Sequence, residues 1–254
     1  MTRGGLWGIA LLGLIGCGGR AAQAGAGANQ GPAPAPQALQ DGHALFRRGE
    51  WEKANAVFRR VAFEVAPGDS QAVEAQYFQA ECQYQLGQRV EAAHQFRRVA
   101  DESPASRWAP LALLRAGDAN ADLWNKPVLD PSYGQAAIAT WQELIGRYPE
   151  SSAAARAQIR IRRITEQLAE KQYLNAMFYA RRKFYDSAIL YFKELVALYP
   201  QSRRVPDALI RLVEIYRVVD YQEELKETCE HLRRFYPAAR GLEESCPAAA
   251  TGSR

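Results

Sequence analysis

A thiol closes the stretch LLGLIGC at residues 11–17, directly after an apolar run. Cysteine is the side chain whose alkylation gives a stable thioether, so its place at the end of an apolar segment suggests covalent modification rather than turnover. The rest of the chain offers no reaction centre. His43, His94 and His231 lie far apart and form no metal-spaced pair, and no GxSxG, HExxH or phosphate loop occurs. The adjacent carboxylates Glu223-Glu224 and Glu243-Glu244 read as solvated side chains. The chain is expected to be non-enzymatic, without metal or cofactor.

What leads up to Cys17 explains it. The apolar run from Leu6 to Ile15 is too short for a bilayer, which needs about 20 residues, and it follows one positive charge, Arg3. Residues 1–16 therefore read as a signal peptide. Its end, Leu14-Ile15-Gly16-Cys17, resembles the lipobox of bacterial lipoproteins. That resemblance implies cleavage before Cys17, diacylglycerol on its thiol and an acyl chain on the new amino terminus. Three acyl chains exceed the two signals that stable anchoring requires. Gly18 follows, where an aspartate tends to retain such proteins at the inner membrane, so the outer membrane is expected. Residues 17–38, rich in Gly, Ala, Pro and Gln, read as the lipidated cysteine and a flexible tether.

About 200 residues remain between Leu39 and Pro237, enough for one domain or an extended array. The net charge of +4 is mild. Pairs such as Arg59-Arg60, Arg97-Arg98, Arg162-Arg163, Arg203-Arg204 and Arg233-Arg234 invite a nucleic-acid reading, but an export signal opposes it. They read as solvated helix faces, some of which could meet anionic lipid. Apart from Cys17 the cysteines are Cys82, Cys229 and Cys246, with no CxxC spacing. Cys229 with Cys246 is one possible disulfide, against which stands the apparent disorder around Cys246.

One pattern organises the array. Ala92-x3-Phe96-x2-Val99-x4-Pro104 recurs from Ala137 to Pro149 and from Ala188 to Pro200. An earlier copy, Ala54, Phe58 and Val61, reaches Pro67 one residue late, and a worn copy reads Leu225, Cys229, Leu232 and Pro237. Spacings of three and four place these residues on one helical face, and proline marks the helix end. In the worn copy the large and small residues trade places, a volume exchange that makes Cys229 a buried small hydrophobe. The copies resemble the second helix of the tetratricopeptide repeat (TPR), and the preceding segments resemble the first. The fold class expected is an all-α TPR solenoid of about five helix pairs with one long connecting helix.

Two stretches break the rhythm. Residues 118–134 are expected to lengthen repeat three between its helices, with Pro127 and Pro131 barring a continuous helix. From Glu150 to Asp186 there is neither Gly nor Pro, which predicts one helix of about 30 residues, roughly 45 Å long. The domains expected are repeats 1–3 over 39–151, the long helix with repeats 4–5 over 152–240, and a disordered tail over 241–254.

Lipobox, tether and repeats together resemble the BamD family of outer membrane protein assembly factors, most specifically through "YGQAAIATWQELIGRYPES" and "LAEKQYLNAMFYARRKFYDSAILYFKELVALYPQS". The resemblance implies a scaffold on the periplasmic face of the outer membrane, lipid-anchored and without nucleic-acid partners. Its partners would be a BamA-like barrel with POTRA domains and nascent outer-membrane β-barrel proteins. Family members use the last repeats for the POTRA contact, through an arginine in the second helix of repeat four. Here Tyr191 stands near that place, with Arg181, Arg182 and Arg203 as neighbouring candidates. The groove of the first helices offers His43, Phe46, Arg47, Tyr77 and Glu81 for an extended barrel segment ending in an aromatic residue and a carboxylate. Two other readings stay open: a CpoB-like adaptor of cell division, and an accessory to a hydrolase or transporter.

Overall fold

The first, second, fourth and fifth helix pairs each turn on a residue in the left-handed region. Gly49 and Gly87 take φ of +76° and +81°, while Lys183 and Asp220 take 63° and 61°. At each turn the next N–H reaches five residues back: Glu50 to Leu45, Gln88 to Gln83, Phe184 to Tyr179 and Tyr221 to Tyr216, at 2.9–3.1 Å. These bonds satisfy carbonyls that the helix end would otherwise orphan. Glycine adopts this backbone freely, whereas a side chain meets its own carbonyl. Lys183 is exposed, so Lys183→Gly is expected to raise stability by about 0.5–1 kcal/mol. A urea melt checks this, and a loss of stability would mean that the lysine side chain holds something in place.

The computed structural model describes residues 34–124, 126 and 130–247. Helices α1 (Ala35–Arg47) and α2 (Trp51–Glu64) form the first pair, α3 (Ser70–Gln85) and α4 (Arg89–Glu102) the second, and α5 (Ala109–Leu123) and α6 (Ser132–Arg147) the third. The fourth joins α7 (Ser152–Arg181) to α8 (Tyr185–Leu198), the fifth α9 (Arg204–Val219) to α10 (Gln222–Phe235), and a short α11 (Leu242–Ser245) follows. Among the described residues there is no strand. The architecture is the all-α TPR solenoid that the repeats foretell.

The repeat positions form the core. Ala54, Phe58, Ala92, Phe96, Ala137, Ala188 and Phe192 are wholly buried, as is Ala80, in the first helix of the second pair. Helices α4, α6, α8 and α10 each end two residues before their proline, and α2 ends three before Pro67. The long helix α7 runs for 30 residues, with Ser151 Oγ accepting from Ala154 N–H at 3.1 Å as its N-cap. The part up to Leu168 packs Ala157, Ile164 and Leu168 into the core of repeats two and three; the part beyond packs Ala176 with α8 and α9.

Four expectations need correction. Helix α1 starts at Ala35, inside the stretch read as tether to residue 38, and buries Ala38 and Leu39. Prolines are tolerated in a first turn because those N–H groups have no intrahelical partner. The expected insertion over 118–134 shrinks to the loop after Leu123, because α5 continues through Asp118; Pro131 is the N-cap of α6, and Pro127 lies outside the described residues. The segment from Gly241 to Pro247, read as disordered, carries α11 and buries Leu242 and Ser245. The disulfide between Cys229 and Cys246, against which the disorder expected around Cys246 stands, is formed, with Cα atoms 5.6 Å apart.

Candidate functional site

Of the residues assigned to the groove, His43 and Phe46 on α1 gather around a residue that sequence reasoning passed over. Phe78 meets the ring of His43 edge-on at 4.3 Å and that of Phe46 at 5.7 Å, and stacks on Phe58 at 5.4 Å. His43 Nε2 lies 2.8 Å from Glu74 Oε1, and the other Glu74 oxygen accepts from Arg107 at 3.2 Å. Arg47 is exposed and makes no ion pair among the described residues. Tyr77 and Glu81 sit differently. The Tyr77 ring stacks on Trp108 at 4.7 Å and its hydroxyl donates to Glu81 Oε1 at 2.9 Å, with both residues buried. Burial and the Glu81 carboxylate push the Tyr77 phenol far above its usual range.

Glu81 begins a charged ladder across α3, α5 and α7. Arg115 grips both its oxygens, from Nε at 2.6 Å and Nη2 at 2.7 Å, and donates from Nη1 to Asp118 Oδ2 at 3.2 Å. Arg160 then holds Asp118 from Nε at 2.5 Å and Nη2 at 3.1 Å. Such forked contacts fix orientation as well as charge. Beside the ladder, the guanidiniums of Arg89 and Arg115 each lie 4.0 Å from the centroid of the Tyr84 ring, whose hydroxyl donates to Asp122. Burial raises the Asp118 carboxyl despite both arginines, and the Glu81 carboxylate, outweighing burial, holds Arg115 firmly protonated. Arg115 and Asp118 stand three apart on one helix, a local signal; their partners lie 34 and 42 residues away in sequence and gave none.

Next to the ladder opens a cleft of about 480 Å³, walled by Tyr84, Trp124, Ile164 and Gln167 and bordered by Arg160 and Arg163. Arg160 keeps N–H donors beyond the two that Asp118 takes, and Arg163 makes no ion pair among the described residues. Aromatic walls beside unengaged guanidinium donors suit a ligand that carries an anionic group next to a flat apolar one.

The candidates in the last repeats separate into two places. Arg182 stacks on Phe178 at 3.7 Å, where α7 turns into α8, and both Phe178 and Phe184 are about half exposed (49% and 58%). Arg181 borders a smaller cleft with Met177, Tyr185 and Val218. Tyr191 lies flat on Tyr179 at 5.2 Å. Arg203 belongs elsewhere: its backbone N–H donates to Glu166 at 3.2 Å, which sits about 24 Å along α7 from Arg182 at the standard helical rise. A single partner surface at the α7–α8 turn thus includes Arg181 and Arg182 but not Arg203. Cys17 lies outside the described residues.

Residues 33–232 match the model of the YfiO family, described as an outer membrane lipoprotein. The chain belongs to the YfiO family. That span takes in the solenoid from α1 into α10. Among curated YfiO/BamD proteins, the outer membrane protein assembly factor BamD of Caulobacter vibrioides is 25% identical over 209 residues, covering 68% of each chain. BamD of Rickettsia prowazekii is 23% identical over 82% of each chain. BamD of Vibrio cholerae is 32% identical over 99 residues, 39% of this chain and 41% of that one. Among solved structures, a TPR protein of Thermus thermophilus aligns over 83% of this chain and 96% of its own, at 18% identity and a TM-score of 0.39.

Proposed function

We propose that this YfiO-family chain acts in outer membrane protein assembly as a non-enzymatic scaffold, anchored through Cys17 and facing the periplasm. The observation that carries the reading is the match of residues 33–232 to the YfiO family, together with the likeness of 68% and 82% of the chain to two assembly factors. A disulfide between Cys229 and Cys246 supports an oxidising compartment. The half-exposed Phe178 and Phe184 with Arg181 and Arg182 support a contact to POTRA domains of the barrel-inserting subunit. The groove of the first helices supports a contact to nascent barrel proteins, with Arg163 beside the cleft and Phe46 and Arg47 on α1. A mild-detergent pull-down of the full-length tagged protein from its own envelope tests the role, with Cys17→Ala as control. A co-purifying barrel with POTRA domains supports it; peptidoglycan synthases or Tol-type proteins without that barrel overturn it in favour of a division adaptor.

The groove is tested with a peptide from the C-terminus of a barrel protein. Arg163→Ala is expected to weaken binding about tenfold, the loss of one charge-assisted hydrogen bond, with the melting temperature unchanged. Phe46→Ala and Arg47→Ala are titrated alongside. Equal affinity in all three variants sinks the groove reading and leaves the scaffold role to the pull-down. Tyr77→Ala is a poor probe because its ring packs between Trp108 and Phe96 and its removal disturbs the scaffold.

A further inference from the structure

The last repeat is closed by a segment that the repeats do not contain. After Pro237 the chain turns at Gly241, with φ of +85°, into the four residues of α11. Leu242 packs into the core shared by α9 and α10, and Cys246 is 3% exposed. Arg217 Nη2 donates to the Ser245 carbonyl at 2.5 Å, and Arg233 Nη2 to those of Cys246 and Pro247 at 2.7 and 2.8 Å. A helix of one turn has no stability of its own, since isolated helices below about 12 residues are marginal in water. One leucine and three hydrogen bonds from two arginines are a slender hold. What ties the segment down is the bond from Cys246 to Cys229, across 17 residues. Repeat arrays need such an end element, because each repeat leaves a face for a neighbour and the last has none. The family match ends at residue 232, so this cap lies beyond it.

We propose that Cys229 and Cys246 are an oxidative modification site, whose disulfide latches residues 241–247 over α9 and α10 as the C-terminal cap of the solenoid. The oxidant is a protein disulfide. One thiolate attacks a sulfur of that disulfide, giving a mixed disulfide and releasing one oxidant thiolate. The second cysteine attacks the mixed disulfide and frees the oxidant as a dithiol; two electrons pass to the oxidant and two protons leave the cysteines. Cys82 does not compete in the folded chain. It has no solvent exposure, and burial, with the nearby Glu81 carboxylate, pushes its thiol up to about 12.

The test is hydrogen exchange on the full-length protein in detergent, oxidised and after phosphine reduction. The amides to follow are Ser245 and Cys246, bonded to the carbonyls of Gly241 and Leu242. Closing a loop of this size constrains the open state enough that reduction is expected to speed their exchange about 100-fold. A Cys229→Ala/Cys246→Ala variant repeats the measurement without reductant, with α3 amides reporting that the repeats remain folded. A change below tenfold in both preparations, with α3 protected, overturns the latch. Re-oxidation of the reduced folded protein by a protein disulfide gives the second reading, by peptide mass. A 229–246 linkage with Cys82 free is expected, and any linkage to Cys82 overturns the selective site.

Discussion

Gly117→Ala is expected to destabilise the protein by about 3 kcal/mol, although helix propensity taken alone favours alanine over glycine by about 1 kcal/mol. Gly117 lies inside α5 with an ordinary helical backbone, so no turn requires it. What requires it is Trp141. A Cβ at this position would stand 2.1 Å from Trp141 Nε1 and 2.5 Å from its Cδ1. The indole cannot retreat: it is 1% exposed and its N–H donates to the Leu114 carbonyl at 3.1 Å. Relief means parting α5 from α6 or breaking that bond, which leaves a buried donor unpaired. Gly146→Ala is the control, because a Cβ there meets nothing within 4 Å and propensity alone acts. Urea unfolding followed by circular dichroism measures both. A stabilised Gly117→Ala would mean that the close approach of the third helix pair is not as described.

The fold was legible because its information is local. Ala92, Phe96 and Val99 declare a buried helical face within eight residues, and Pro104 declares where it stops. The absence of Gly and Pro after Glu150 did the same for α7. The turns were only half legible: Gly49 and Gly87 advertise a left-handed backbone, while Lys183 and Asp220 hold the same conformation with no such sign. The site was less legible because its chemistry joins distant repeats. Glu81 looks like a groove residue and Arg160 like a solvated charge until α3 and α7 bring them to opposite ends of one ladder. Tyr77 looks like a groove aromatic until Trp108 covers it. The cap was illegible for a different reason. Residues 241–247 show no periodicity, and a covalent bond with two arginine donors does the work that an apolar face does elsewhere.

Arg115→Ala tests whether the ladder is the frame of the cleft. The variant is expected to lose about 3–5 kcal/mol at pH 7, because Glu81 and Asp118 stay buried while their common partner disappears. Their side chains are only 10% and 9% exposed, so water cannot replace it. The pH dependence gives the sign. Without Arg115 the Asp118 carboxyl, which burial already raises in the intact ladder, sits further above its unfolded value, so the folded state binds the extra proton. Such groups cost most above the folded pKa, and the penalty fades as pH falls toward the unfolded values near 4. The gap between wild type and variant should therefore narrow from pH 7 to pH 5. Adding Glu81→Gln to Arg115→Ala should recover part of the loss, since a neutral amide tolerates the site better than a stranded carboxylate. A loss under about 1 kcal/mol, flat with pH, would class these contacts with ordinary surface pairs. The cleft beside Tyr84 would then lack the rigid wall that lets Arg160 and Arg163 hold an anionic ligand at a fixed place.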